Sequence, residues 1–336
     1  MRILVTGATG FTGGHLARTL VNRGHDVCAI AREGADTSGL LRDGIEIITG
    51  DLRSGDDVLR AAEDCELIYH IAAVFRTAGH GDEHYHQVNV GGTENVIAAA
   101  KKHHVKRLVH CSTMGVHGNV SQVPSNEDSP YNPGDIYQRT KLEGERRVQE
   151  AIREGLAASI VRPAGIYGPG DHRFLKLFRA IHRGTFRMFG SGETLYHLVY
   201  IDDLVAGILL CGEHPKALGR AFLIGGPRYV TLNELVRTIA DALGTKPPRG
   251  RLPVWPLLAA GAACEAVFKP LGLEPPLHRR RVHFFIKNRA FDISRARNEL
   301  GYDPQVDLAK GMHRTAQWYM REGLLPMRSP AEPVEA

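Results

Sequence analysis

Apolar positions in the first half of the chain follow two alternating rhythms. Short β-branched runs read as buried strands at Ile3–Thr6, Val27–Ala31, Ile45–Thr49, Leu67–Ile71, Arg107–Cys111 and Ala158–Arg162. Between several of them, apolar residues recur at helical spacing over Gly13–Arg23, Asp56–Ala62, Glu83–His104 and Asp135–Glu154. Strand–helix alternation of this kind predicts an α/β fold built on a doubly wound parallel sheet. Gly24 and Gly155 stand where the preceding helices should end.

Beyond Arg162 the rhythm loosens. Gly168-Pro169-Gly170 opens a stretch that predicts an amphipathic helix near Phe174–Arg183. A strand near Leu198–Ile201 and a helix near Asp202–Cys211 are expected to return to the main sheet, followed by a strand at Ala221–Ile224. Thr231 with Glu234 makes a capping box for a helix over Thr231–Leu243. The pattern divides the chain into a Rossmann-type domain, 1–165 plus about 196–226, and a smaller, mostly helical substrate lobe, about 166–195 and 227–323. The Pro- and Glu-containing tail, 324–336, is expected to be disordered.

The 336 residues, 43% hydrophobic and 24% charged, are ordinary for a globular protein and long enough to need no disulfide or metal staple. Five scattered cysteines, with no Cys-x-x-Cys pair, read as reduced thiols in a cytoplasmic protein. A first strand starting at Arg2 leaves no room for a signal peptide. The longest apolar stretch, Val254–Phe268, is broken by Pro256 and Glu265 and is too short to span a membrane. It is read as a lid or core helix rather than a membrane-surface helix. A net charge of +5 and a pI near 9.0 suit anionic small molecules and point to no nucleic-acid partner. The His-Arg-Arg-Arg run at 278–281 reads as a solvated face. His80, His84 and His86 crowd together, but no metal site is expected, because fixed geometry from three or four ligands is lacking.

The first strand runs straight into Gly7-Ala-Thr-Gly10-Phe-Thr-Gly13-Gly14 and then an apolar-periodic helix. Glycines there let the backbone approach a pyrophosphate, and the helix N-terminus offers unsatisfied N–H donors, so a dinucleotide site is expected. The second strand ends Ala31-Arg32-Glu33, without the acid that usually holds the ribose of NAD. Arg32 favours NADP over NAD, its alternative role being a solvated partner of Glu33. Asp51 is placed either to meet the adenine or to cap the next helix.

Tyr137 and Lys141 stand four apart, one face of a helix whose N-cap is Asp135 with Gln138 at N3. A free phenol has a pKa of about 10; a neighbouring ammonium favours phenolate and fits it for proton exchange near neutral pH. Ser112-Thr113 closes the preceding strand, where a parallel sheet presents its ligand groups, and a hydroxyl there can hold the same substrate oxygen.

These motifs, with Asp51-Leu52, Asn89-Val-Gly-Gly-Thr93, Val116-His117-Gly118 and Arg162-Pro163…Tyr167-Gly168-Pro169-Gly170, resemble the extended short-chain dehydrogenase/reductase family, the NAD-dependent epimerase/dehydratase group. The resemblance covers about 1–320. It implies Thr113, Tyr137 and Lys141 as the catalytic set, with Thr113 in the usual serine position. It implies cofactor contacts at Gly7, Thr9, Gly10, Phe11, Thr12, Arg32, Asp51, Leu52, Ala72, Ala73, Ser112, Tyr137, Lys141 and Pro163. Asn89 is placed near the substrate or in helix–strand packing, and His117 in a loop beside the substrate.

Three departures refine the expectation. Met114-Gly115 replaces the Asp-Glu pair of family dehydratases, which excludes their elimination chemistry. Tyr196 replaces the arginine that grips the diphosphate in nucleotide-sugar members, a substantial loss for such a ligand. The Val254–Phe268 segment resembles the 3β-hydroxysteroid-dehydrogenase-like branch, whose substrates are bulky and apolar. Arg279, Arg280, Arg281 or Arg289 could still bind phosphate, and Arg280 is carried as a substrate contact. The reading is an NAD(P)-dependent dehydrogenase or reductase acting at a secondary alcohol or ketone of a 3β-hydroxysteroid-like or keto-acid-like substrate. The alternative is a nucleotide-sugar epimerase that retains its NAD. A non-catalytic dinucleotide-binding protein ranks last, because tyrosine and lysine are both present. The resemblance also points to a homodimer through a four-helix contact that includes the Tyr137 helix.

Overall fold

The structure, a computed structural model, describes residues 1–75, 81–268 and 279–326; the side chains of Glu265, Arg279, Arg280 and Arg281 lie outside that description. The strands are β1 (Arg2–Thr6), β2 (Asp26–Ala31), β3 (Glu46–Thr49), β4 (Leu67–His70), β5 (Arg107–Cys111), β6 (Ala158–Pro163), β7 (Gly165–Tyr167), β8 (Met188–Phe189), β9 (Leu195–Tyr200), β10 (Ala221–Ile224), β11 (Tyr229–Thr231) and β12 (Arg251–Leu252). The helices are α1 (Phe11–Asn22), α2 (Ser38–Arg42), α3 (Gly55–Ala61), α4 (Asp82–His86), α5 (Gly92–Lys102), α6 (Ile136–Arg153), α7 (Leu175–His182), α8 (Ile201–Glu213), α9 (Leu232–Leu243), α10 (Trp255–Phe268), α11 (Arg279–Ile286), α12 (Ser294–Leu300) and α13 (Leu308–Arg321).

Seven strands form a parallel sheet in the order β10-β6-β5-β4-β1-β2-β3. Both faces are covered, which is why these strands are apolar at nearly every position rather than at every second one. Ile3, Val5, Val109 and Val161 join the core with α1 and α8, whereas Leu4, Leu108 and Ile160 face α3, α5 and α6. The strand order reverses between β1 and β4, so the carboxyl ends of those strands open the crevice where ligands bind in such sheets.

Four local differences from the sequence pattern have physical reasons. The strand expected at Leu198–Ile201 does not return to the main sheet. β9 pairs instead with β7 and β11, in register Gly165↔Leu198, while β10 takes the edge beside β6. Apolar spacing defines a strand but not its neighbour, and β7 directly follows β6 and captures β9. The single helix expected over 83–104 is α4 and α5 joined by a π-turn, Gln87–Gly91. The wider turn lets α6 come close: a Cβ on Gly144 would stand 2.5 Å from the Asn89 carbonyl oxygen. Third, α10 is not a core helix, since Trp255 is 71% and Val267 58% exposed. Last, the start of the tail is packed. Leu325 is buried, and the Arg179 Nε and Nη2 groups each donate to the Leu324 carbonyl at 3.2 Å; residues 327–336 lie outside the described ones.

Two fully buried histidines face each other across β4 and β5, their ring centroids 5.3 Å apart. His70 is hydrogen-bonded to Thr6 Oγ1 at 2.8 Å and Thr93 Oγ1 at 3.0 Å, and neither nitrogen of His110 has a partner among the described residues. Burial, reinforced by the Lys141 charge, pushes His70 down to about 3 and His110 well below the usual imidazole range. Both therefore stay neutral in the folded protein while the unfolded chain binds protons below about 6.5. Their contribution to stability is complete above that pH and is lost as pH falls from 6.5 toward 3. Chemical unfolding measured between pH 7 and pH 4 should show this decline, and a flatter one in His110→Phe. Equal slopes in parent and variant would contradict the assignment.

Candidate active site

The crevice at the carboxyl ends of β1 and β4 continues into a cavity of about 1160 Å³ that reaches α7, β9 and α11. All fifteen residues expected from sequence to touch the cofactor or carry catalysis line it. They converge from seven separate segments of the chain, as expected where a doubly wound sheet presents the ends of several strands to one crevice.

The turn after β1 depends on two glycines. Gly7 has φ +74°, and a Cβ there would lie 2.7 Å from Ala72 N. A Cβ on Gly13 would stand 2.2 Å from the Gly7 carbonyl oxygen, so the turn folds tightly onto the first turn of α1. Gly10 precedes α1 in extended conformation with no side-chain cap, leaving the helix N–H groups directed at the crevice. Arg173 bridges the mouth, its guanidinium 5.5 Å from the Phe11 ring and 5.7 Å from the Phe75 ring.

Arg32 is exposed on the cavity wall and forms no ion pair with Glu33 among the described residues. Asp51 does not cap the following helix; Ser54 does, accepting from Asp57 N at 3.3 Å. Asp51 is instead clasped by Arg53, whose backbone N donates to Oδ1 at 2.9 Å and whose Nη2 donates to Oδ2 at 2.7 Å. Arg53 holds the Asp51 carboxyl below the usual carboxylate range.

α6 begins as the sequence predicts. Asp135 Oδ1 accepts from Gln138 N at 2.9 Å, and Gln138 Oε1 reaches back to Gly134 N at 2.7 Å. Tyr137 sits in the first turn with its ring edge-on to Phe75, centroids 4.8 Å apart. One turn further, Lys141 is 1% exposed and its ammonium has no hydrogen-bond partner among the described residues. Burial lowers its pKa, opposed by Cys111 and Glu145. Thr113 Oγ1 accepts from Gly115 N at 3.0 Å, which fixes the threonine side chain at the cavity wall.

Behind the cavity lies a network that sequence reasoning did not find. Ser112 Oγ donates to Glu145 Oε2 at 2.5 Å, and Glu145 also pairs with Arg162, Nη2 to Oε1 at 2.6 Å. Arg162 further donates to the Glu127 carbonyl at 2.8 Å and to Tyr131 Oη at 2.7 Å. Burial works against the Arg162 charge, but Glu145 more than compensates and raises its pKa. His117 belongs to this network rather than to the substrate wall. It is buried, 3.2 Å from Arg162 Nη1, and 3.3 Å from the Pro130 carbonyl. Asn89 likewise does not line the cavity. Its amide pins Val74 N at 2.8 Å and Thr140 Oγ1 at 3.0 Å, joining the π-turn to α6.

Tyr196 does line the cavity, as expected, with its hydroxyl donating to the Phe284 carbonyl and accepting from Arg289 Nη1 at 3.1 Å. The Arg280 side chain lies outside the described residues. Lys176, Lys287 and Arg289 also reach the wall. Lys176 lies on the predicted helix α7 and Arg289 was one of four arginines considered for phosphate, but nothing in the sequence except charge set Lys176 or Lys287 apart. No group of three His, Cys, Asp or Glu is placed to hold a metal ion among the described residues, and His80 lies outside them.

Removing one partner of the buried Arg162–Glu145 pair leaves an uncompensated charge. Glu145→Gln should therefore cost about 3–5 kcal/mol of unfolding free energy, read from denaturant midpoints. A loss below about 1 kcal/mol would show that the pair is not stabilising in place.

Comparison with known proteins agrees with this geometry. Residues 3–225 match the model of the NAD dependent epimerase/dehydratase family. The 2-alkyl-3-oxoalkanoate reductase of Stenotrophomonas maltophilia (strain K279a) is 33% identical over 94% of this chain and 98% of its own. A 3beta-hydroxysteroid-dehydrogenase/decarboxylase, isoform 2, of Arabidopsis thaliana is 32% identical over 93% of this chain, which spans 61% of that longer protein. The crystal structure of gox2253 superposes with a TM-score of 0.83, at 29% identity, over 96% of this chain and 99% of its own. The first two relatives are oxidoreductases by name, and the superposition shows that the fold is shared over nearly the whole chain. The chain belongs to the NAD-dependent epimerase/dehydratase family.

Proposed function

We propose that the protein moves a hydride between a nicotinamide dinucleotide and a secondary alcohol or ketone on a largely apolar substrate, with Thr113, Tyr137 and Lys141 carrying the step. One observation bears most of the weight. A buried ammonium without a hydrogen-bond acceptor among the described residues stands one helical turn beyond Tyr137, on the cavity into which the glycine turn opens.

The cradle fits a dinucleotide. Gly7, Gly10 and Gly13 keep the wall free of side chains, and the α1 N-terminus favours an anion there. Thr9, Phe11 and Thr12 continue that wall; Leu52, Ala72, Ala73 and Pro163 also line the cavity, the first three being residues that would hold the adenosine half of a dinucleotide and Pro163 one that would border its nicotinamide. Bound along this path, the nicotinamide supplies or accepts the hydride. Lys141 would hold the ribose hydroxyls of a bound dinucleotide, and its charge favours the phenolate of Tyr137. Tyr137 Oη gives a proton to the substrate oxygen in reduction and takes it back in oxidation. Thr113 donates a hydrogen bond to the same oxygen, and Ser112, turned to Glu145, supports the strand end beneath it. In this reading residues 1–165 with about 196–226 form the dinucleotide-binding domain, and about 166–195 with 227–323 shape the substrate lobe. The 3-oxoalkanoate reductase and hydroxysteroid dehydrogenase relatives support a 3-hydroxy or 3-oxo substrate with a bulky apolar body.

Arg32, with Ala31 rather than an acid before it, favours NADP: a guanidinium can pair with a 2′-phosphate. The thiols support a reducing compartment, since Cys28 and Cys65 lie 3.6 Å apart, both buried and unbonded.

Tyr137→Phe should lower kcat by about 10²- to 10⁴-fold while NADPH affinity moves less than about threefold. Near-parental turnover would remove Tyr137 from the proton step. Arg32→Ala should weaken NADPH binding about 10-fold or more and leave NADH binding nearly unchanged. Calorimetry giving the same change for both nucleotides would overturn the NADP preference.

A further inference from the structure

We propose that Lys287 and Arg289 form a subsite for a carboxylate carried by the substrate close to its reacting carbon. The location relative to that carbon rests on the Tyr137 reading above; the anion site itself rests on other observations.

Both side chains are half-buried and line the cavity that contains Tyr137. Lys287 lies against the start of α6: a Cβ built on Gly134, three residues before Tyr137, would stand 3.4 Å from its Nζ. Arg289 is held from two sides. Its backbone N donates to the Leu195 carbonyl at 2.8 Å, and its Nη1 donates to Tyr196 Oη at 3.1 Å. Its guanidinium also lies over the Tyr196 ring, 5.5 Å from the centroid. The fork is thus fixed in orientation, while Nε and Nη2 make no hydrogen bond among the described residues.

No carboxylate forms an ion pair with either cation among the described residues. Lys287 is pulled below the usual ammonium range by burial first and by Arg289 second. Asp135 opposes the shift, but its Oδ1 already accepts from Gln138 N as the α6 cap. Two like charges held together in a partly desolvated wall are unfavourable unless an anion joins them.

The surroundings narrow the ligand. Val88, Met114, Phe174, Leu177 and Phe284 make the adjoining wall apolar. That suits an anionic head on a hydrocarbon body. A planar carboxylate matches a guanidinium fork already committed at one Nη to Tyr196, with Lys287 as a second point charge. Proximity to the α6 start places the carboxylate a few bonds from the carbon that faces Tyr137, as in a 3-hydroxy or 3-oxo acid.

The test uses the full chain, saturated with oxidised nicotinamide dinucleotide, and two matched probes: 3-hydroxyoctanoate and its methyl ester. The acid should be favoured over the ester by about 10- to 100-fold in kcat/KM. That ratio should fall about 10-fold in Lys287→Gln and in Arg289→Gln, with Arg289→Lys intermediate. The parent comparison needs no variant, so a substitution that disturbs Tyr196 does not spoil it. Acid and ester used equally by the parent would overturn the subsite and leave the Tyr137 reading standing. Carboxylate-dependent binding by calorimetry without any oxidation would support the subsite and overturn the other reading. Arg289-dependent binding of UDP tighter than that of the acid would also overturn it, making the anion a diphosphate.

Discussion

The site is organised around a buried cation to which no described residue offers a hydrogen bond. Lys141 is almost wholly buried, and its ammonium lacks a hydrogen-bond acceptor among the described residues. An ammonium in such a place is expensive. The nearest carboxylate in sequence register, Glu145, is one turn away on the same helix but is already committed to Arg162 and Ser112. The charge therefore faces the crevice, and the fold spends several devices on keeping it there. The Asp135 cap fixes where α6 begins, Gly144 lets α6 press against the π-turn, and Asn89 ties that turn to Thr140. Moving α6 by one turn would take Tyr137 and Lys141 off the cavity together.

The Arg162–Glu145 pair plays a complementary part. It joins β6 to α6 across the buried side of the site, and Tyr131, His117 and the Glu127 carbonyl use up the remaining Arg162 donors. Such a fully hydrogen-bonded network fixes relative positions more than it adds net stability. Its effect on chemistry is indirect: Ser112 is turned inward, and Thr113, the next residue, is presented to the cavity.

Much of the nucleotide half was legible in the sequence because its signals are local. Gly7, Gly10 and Gly13 follow a strand and open a helix, and the Tyr137–Lys141 spacing lies behind a readable cap; neither depends on distant contacts. The substrate half was less legible. Its wall is assembled from α7, β9 and α11; α11 comes from a distant part of the chain, and β9 sits in a small β11-β9-β7 sheet that apolar spacing does not specify. His117 and Asn89 show a second kind of difficulty. A polar residue near the end of a sheet has the same appearance in sequence whether it meets a ligand or a buried arginine. Lys287 was one cation among many, and Arg289 one of four arginines considered for phosphate, until β9 brought Tyr196 and the α6 start brought Gly134 beside them.

The central claim is that Lys141 waits for a dinucleotide rather than serving the fold. Thermal unfolding of Lys141→Met, with and without saturating NADPH, tests it most directly. The free variant should be at least as stable as the parent, because a buried unpaired charge has been replaced by an apolar chain of similar length. The stabilisation conferred by NADPH should shrink markedly in the variant. A free variant that is clearly less stable, with an undiminished response to NADPH, would contradict the account.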